Sequence, residues 1–423
     1  MNRVETKSSQ RSRGLALGVA ILGVGALTLS GCMAPPEAQP KSGTPAHTLT
    51  LELGTLLPET GNIALLGQPQ IAGVQLAVKD INDANLGITI DLTLGDSGDT
   101  SNKAFTTTVP NLINKKVSAI IGAAASDVTA VVIDQVVGAD TILFSPANSA
   151  AQFSTWDDHG LYWRTASTNE LRGEVLGNLI AADGADTLGT LVLNGAYGTG
   201  LQKTITEAFE AAGGTVVAEQ TFNTGDTTFD AQISSVLAQN PDAIQLVSED
   251  EASTIIPALK DAGFDMSKLY LADGNTVQYG DKFAPGTLTG AKGILPGPVV
   301  TEDFQQRLKD LWADVNNGAE LTNFGFAAES YDAVVLIALA ALSADSTEAD
   351  AIASKLKEVS GGSGNGKKAT NFKQAAKIIN AGGVADYDGF SGGIKFDDNG
   401  DASEASIGVY QYDATNNYKR IND

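Results

Sequence analysis

The stretch Leu49-Thr-Leu-Glu-Leu-Gly-Thr-Leu-Leu57, ended by Pro58 and Gly61, begins the pattern that decides the fold. It is a short apolar run with alternation, bounded by turn residues, and reads as a strand. Gln68 to Asn82 follows with Ile71, Val74, Leu76, Val78 and Ile81 near helical spacing, and Pro69 suits a first turn. Working outward, the spacing predicts strand Ile88–Leu94, helix Lys103–Asn114, strand Val117–Ile121, helix Asp127–Val137 and strand Thr141–Phe144. A second series runs helix Asn169–Ala182, strand Thr187–Leu193, helix Thr199–Ala212, strand Thr215–Phe222 and helix Phe229–Ala238. It continues with strand Ala243–Val247, helix Ala252–Ala262 and strand Leu269–Ala272. Strands that alternate with such helices form βαβ units, whose parallel sheets are buried on both faces. Two series in tandem predict an α/β protein of two lobes, each a mostly parallel sheet flanked by helices. Phe324 to Leu342 is one long apolar helix, and Glu329 and Asp332 within it argue for a protein core over a bilayer.

Composition narrows the function. The 423 residues carry 50 Asp+Glu against 27 Lys+Arg, a net charge of −23, with one cysteine and two histidines. Nucleic-acid binding rests on clustered Lys and Arg, so nucleic acid is not an expected partner. One cysteine excludes an internal disulfide framework, and two histidines leave little material for a catalytic metal site.

The first residues read as an address. Arg3, Lys7, Arg11 and Arg13 precede the uncharged run Gly14–Leu29, which is short for a transmembrane helix and has the form of a secretory signal. The run ends Leu29-Ser30-Gly31-Cys32, which resembles a bacterial lipobox. That resemblance implies removal of 1–31 and lipidation of Cys32, which lowers the net charge to −26. Residues 32–47, with Pro35, Pro36, Pro40 and Pro45, read as a semi-rigid tether. The expected location is extracytoplasmic, held to the membrane by the lipid anchor only.

Three motifs that suggest chemistry have plainer readings. Gly361-Gly-Ser-Gly-Asn-Gly366-Lys367-Lys368 approaches a phosphate-binding loop, but Lys368 stands where Ser or Thr is needed and no strand precedes it. It reads as a surface loop between helices. Asp397-Asp398-Asn399-Gly400-Asp401 lacks the ligand spacing of a calcium loop and reads as a hairpin turn before strand Ile407–Tyr412. His159 is the only histidine of the folded part and sits in the polar loop Thr155-Trp-Asp-Asp-His-Gly160, where nothing singles it out for a Ser-His-Asp arrangement. The expectation is no enzyme and no cofactor.

Binding remains. In two-lobed α/β proteins ligands sit at the carboxyl ends of strands, in the crevice between lobes. The segments at those ends are 57–67, 122–128, 145–150, 194–200, 248–251 and 273–274, rich in Gly, Ala, Ser and Asn. Helix starts after Ser126 and Tyr197 would also offer free N–H groups to an anion.

Several of these segments together resemble the type I periplasmic binding proteins, and among them the branched-chain amino acid (Leu/Ile/Val-binding-like) substrate-binding lipoproteins of ABC transporters. The resemblance is carried by Gly54-Thr-Leu-Leu-Pro58-Glu-Thr-Gly61, Gly67, Gly73-Val-Gln-Leu-Ala-Val-Lys-Asp-Ile-Asn82 and Ile120-Ile-Gly122. It continues through Phe144-Ser-Pro146, Ala196-Tyr197-Gly198-Thr-Gly200 and Tyr387-Asp-Gly389-Phe-Ser-Gly392 with Phe396-Asp397. It implies two lobes joined by three crossings near Thr165, Pro298 and Ser406: residues 48–165 with 298–405, and 166–297 with 406–423. It also implies a ligand carboxylate held by Ser126, Asn148 and Ser149, and an ammonium held by Tyr197 and Asp273. Phe326 would line the side-chain pocket, and Ser248 falls near a second pocket tyrosine of the amino-acid binders. Asn148 stands where a small apolar residue is usual, and Asp273 is one methylene shorter than the family's Glu. The implied partners are a small-molecule ligand, an amino acid or analogue, and membrane-embedded permease subunits. A ligand-sensing lipoprotein of the same fold, binding an amide, peptide or aromatic acid, is the alternative.

Overall fold

The computed structural model describes residues 48–422; Cys32, the segment 1–31 and the tether lie outside the described residues. A first series consists of β1 (Leu49–Leu56), α1 (Ala64–Ala84), β2 (Ile88–Thr93), α2 (Phe105–Asn114), β3 (Ala119–Gly122), α3 (Ser126–Val137), β4 (Ile142–Ser145) and β5 (Tyr162–Arg164). A second consists of α4 (Asn169–Ala182), β6 (Thr187–Leu193), α5 (Ala196–Ala211), β7 (Thr215–Phe222), α6 (Asp230–Leu237), β8 (Ala243–Val247), α7 (Ala252–Asp261), β9 (Leu269–Leu271) and β10 (Lys292–Pro296). The remainder is α8 (Glu302–Val315), α9 (Ala327–Ala344), α10 (Ala349–Val359), β11 (Lys367–Ala369), α11 (Phe372–Asn380), β12 (Ala385–Tyr387), β13 (Ile407–Tyr412) and β14 (Tyr418–Arg420).

The strands build two principal sheets. One is parallel throughout, in the order β2-β1-β3-β4-β5. The other runs β14-β13-β10-β9-β8-β6-β7, with antiparallel pairing only at β10–β13 and β13–β14. The chain leaves the first sheet after β5 and enters the second. It returns after β10 to lay α8 to α11 on the first lobe, and it rejoins the second sheet with β13. Every residue of β3, β4 and β8 is buried, as expected of parallel strands covered on both faces.

α9 is the core helix of the first lobe. Fifteen of its residues, Ala327 through Ala341, are buried, and it packs against α1, α10 and α11. A helix this apolar satisfies the length and hydropathy of a membrane span, yet protein already encloses it. α1 lies directly on it: a Cβ at Gly73 would fall 2.2 Å from the Ala327 carbonyl oxygen, so only glycine permits the approach. Asp332, buried within α9, accepts from the Tyr387 hydroxyl at 2.6 Å, from Phe390 N at 3.2 Å, and from Ser391 N and Oγ, each at 2.6 Å. The Tyr387–Gly392 motif is thus a loop pinned to the core helix, with Phe390 stacked on Phe304 at 3.9 Å between ring centres.

Several sequence expectations are corrected. α1 starts at Ala64, because Leu66 N and Gly67 N close an earlier turn on the Ile63 carbonyl at 2.9 and 3.2 Å. Pro69 therefore sits in the second turn and denies the Leu65 carbonyl its helical donor. The Gly361–Lys368 stretch joins α10 to β11 and not one helix to another, and Lys368 pairs with Asp386 and Asp388. The Asn399-Gly400 turn closes on an isolated Phe396–Ala402 bridge; the hairpin of β13 is made with β14 instead. Asp401 is buried, and its carboxylate receives Arg164 Nε at 2.6 Å, so it fastens the turn to β5. β5, β10, α8, α10 and α11 were not foreseen.

Candidate functional site

Both sheets reverse strand order at a point that faces the other lobe. In the first, β2 and β3 flank β1; in the second, β7 and β8 flank β6. Chains leaving the carboxyl ends of such neighbours diverge and leave a crevice. The ends of β3, β4, β8 and β9 supply Ala124 to Ser126, Ala147 and Asn148, Glu249, and Asp273 and Gly274, and these line one cavity of about 390 Å³. A second space of about 410 Å³ adjoins it, and Ile63, Leu66, Glu249 and Gly274 are common to both. Glu249 stands at their junction.

The lobes touch directly around this cleft. Asn62 Nδ2 donates to Glu251 Oε1 at 3.3 Å, Ala196 N donates to Asp127 Oδ1 at 2.6 Å, and Arg172 Nη2 donates to the Ala147 carbonyl at 3.2 Å. The Asp127 contact requires close approach, since a Cβ at Gly195 would lie 2.5 Å from that carboxylate. Burial pushes the Asp127 carboxyl up from its ordinary value, and the Ala196 N–H offsets part of that.

Five residues anticipated from sequence meet on the inner cavity: Ser126, Asn148, Tyr197, Asp273 and Phe326. Ser126 opens α3 and its Oγ accepts from Ser149 N and Ala150 N at 3.3 Å each, which leaves the hydroxyl proton to donate. Asn148 spends its side chain inside the lobe: Nδ2 donates to Thr129 Oγ1 at 2.8 Å and Oδ1 accepts from the Tyr162 hydroxyl. Phe326 caps α9 with φ of +62°, a left-handed conformation rare for an aromatic residue, and its ring lies 5.8 Å from the Arg172 guanidinium. Two anticipated residues are not on the cavity wall. Ser149 is fully buried with no partner for its hydroxyl among the described residues, and Ser248 Oγ accepts from Asn275 Nδ2 at 2.8 Å.

Asp273 already has a counter-charge. Arg172 Nη1 of α4 pairs with its Oδ2, and the Tyr197 hydroxyl donates to Oδ1 at 3.2 Å while accepting from Gly274 N at 3.0 Å. Burial pushes the Tyr197 phenol up, and the nearby Asp273 adds to this. Glu249 is different: among the described residues no donor reaches its carboxylate. Burial, then Glu251, Asp127, Asp99 and Asp273, push it well above the usual carboxylate range. Glu249, Arg172 and Gln70 were not singled out from sequence. Glu249 lay within the strand-end segment 248–251, whereas Gln70 and Arg172 sit on helices and carry no local signal.

Two α/β lobes, a cleft at their strand ends and direct bonds across it define a protein that encloses a small solute. The chain belongs to the periplasmic binding protein family, which matches residues 50–393, and its architecture is the type I fold of the Leu/Ile/Val-binding proteins. Members of this family are extracytoplasmic solute-binding proteins and not enzymes. Among relatives, the chemotactic signal transduction system substrate-binding protein BasB of Halobacterium salinarum is 24% identical over 65% of this chain and 65% of its own length. A leucine-, isoleucine-, valine-, threonine- and alanine-binding protein of Pseudomonas aeruginosa is 26% identical over 44% of this chain and 50% of its own. The chain thus spans less than two thirds of the length of these curated relatives. Among solved structures, the leucine-binding protein LivK of Thermotoga maritima aligns with TM-score 0.71 at 20% identity, covering 88% of this chain and 98% of that one. A solute-binding protein of R. palustris in complex with benzoate aligns with TM-score 0.69 at 17% identity, covering 88% and 95%.

Proposed function

We propose that this protein is the solute-binding lipoprotein of an ABC importer and captures an amino acid or close analogue, branched-chain or another small polar solute, between two closing lobes. The observation that carries the reading is the cavity lined from both lobes and closed by the Asp127–Ala196 and Asn62–Glu251 contacts. The sheet memberships support a hinge of three strands near Thr165, Pro298 and Ser406, which divides the lobes into 48–165 with 298–405 and 166–297 with 406–423. A ligand binding the closed form shifts the population toward it. The closed form then docks on permease subunits, and other subunits hydrolyse ATP. Cys32, in its lipobox-like setting, anchors the tether to the membrane.

The test is thermal unfolding of the chain from Met33 onward against amino acids, small amides, short peptides and aromatic acids. A ligand at 100 times its dissociation constant adds about 2.7 kcal/mol. A flat response from folded, ligand-free protein would remove the reading. Sensing is the second reading, favoured by the likeness to a chemotactic substrate-binding protein; association with a signalling receptor in place of a permease would select it.

A further inference from the structure

The cleft is furnished with acceptors that have nothing to accept. Gln70 is fully buried and lines the inner cavity; its Nε2 donates to the Leu66 carbonyl at 2.8 Å, and its Oε1 has no donor among the described residues. Asn275, 1% exposed on the adjoining cavity, donates Nδ2 to the Leu246 carbonyl at 3.1 Å, and its Oδ1 has no donor among the described residues. In both, the backbone carbonyl decides which end of the amide is nitrogen. Between them Glu249 carries a carboxylate that no donor reaches. A buried acceptor without a donor is costly and is relieved when a ligand supplies an N–H.

The charges point the same way. Beyond burial, Glu251, Asp127, Asp99 and Asp273 lie close enough to Glu249 to push its carboxyl up further. The cations nearby are already matched: Arg172 pairs with Asp273, and Lys282 with Asp250 at 3.2 Å. We propose that the cleft selects a solute of net positive charge whose nitrogen carries N–H donors, an ammonium or guanidinium, with Glu249 as its counter-charge and Gln70 and Asn275 accepting further hydrogen bonds. This rests on the solute-binding reading and names the class of solute. A basic amino acid and a simple diamine share this chemistry; they differ in a carboxylate, which the start of α3 and the Ser126 hydroxyl would hold.

The experiment is calorimetric titration of the full chain with L-lysine, L-arginine, 1,5-diaminopentane, L-leucine, benzoate and glycine betaine. At least one of the first three binds at least 10-fold tighter than leucine, and betaine, a cation without N–H, does not bind. Binding by the diamine as well as lysine means that no carboxylate is needed; binding by lysine alone assigns one to α3. Glu249→Gln weakens the cation by about 30-fold or more, the loss expected when one partner of an enclosed charge pair is removed. Gln70→Leu weakens it by about 5-fold, and the melting temperature of the empty variants shows that both fold. Tightest binding by leucine or benzoate, or unchanged cation affinity in Glu249→Gln, overturns the inference and leaves the solute-binding reading standing. Binding by none of the six overturns the inference, and the wider solute panel then decides the reading it rests on.

Discussion

Arg172 and Asp273, 101 residues apart in the chain, form a buried ion pair on the wall of the cleft and join α4 to the end of β9. Arg172 also donates Nε to Ser167 Oγ at 3.0 Å and Nη2 to the Ala147 carbonyl, so one guanidinium ties the second lobe to the first. Removing one partner of such a pair strands the other charge away from water, at a cost of about 3–5 kcal/mol. Asp273→Ala is therefore expected to lower stability by that amount in urea unfolding. Its effect on ligand affinity, measured where the variant is fully folded, is expected to be smaller than that of Glu249→Gln.

The proposed closure brings Gly195 and Ala196 of the second lobe against Asp127 of the first. Gly195→Ala places a methyl group 2.5 Å from the carboxylate, so the two must separate. Apparent affinity falls in proportion to the closed fraction, and a loss of about 10-fold is expected. Titration beside small-angle scattering checks this: the variant should keep its melting temperature but fail to contract when ligand is added.

Glu329 connects stability to pH. It is 4% exposed beside Gly297, and burial pushes its carboxyl up to about 8 from the ordinary 4.5. Between those values the unfolded chain has released the proton while the folded chain retains it. The contribution of Glu329 to stability is complete below pH 4.5 and is lost as pH rises through 8. Glu329→Gln removes the proton equilibrium and keeps the shape. Its stability relative to the parent is expected to rise with pH across this window by up to about 1.4 kcal/mol per unit, as read from urea midpoints at several pH values.

Asp332 holds four donors from the Tyr387–Ser391 loop. Asp332→Ala orphans all of them inside the protein, and a loss of about 3–5 kcal/mol is expected. Hydrogen exchange should show protection lost first at Phe390 and Ser391. Uniform loss across the chain with that loop still protected would contradict the anchoring role.

Much of the fold was legible because parallel strands covered on both faces appear as apolar runs between helical periods. α4, β6, β7 and β8 fall on the residues expected, and α9 was recognisable as a core helix from its apolar length and internal carboxylates. β5 and β10, of three and five residues, gave no comparable signal; neighbours in the sheet make them strands. α8, α10 and α11 expose polar faces and owe their place to packing on the first lobe.

For the site, local sequence determined that the strand ends would carry small and polar residues, and that Ser126, Tyr197 and Asp273 would stand there. Tertiary structure alone decided which acid is free. Charge pairing depends on distance in space, and a helix residue brought across from α4 neutralises Asp273, while no donor among the described residues reaches the Glu249 carboxylate. The orientation of the Gln70 and Asn275 amides was likewise hidden, because each is set by a backbone carbonyl whose position exists only in the folded chain.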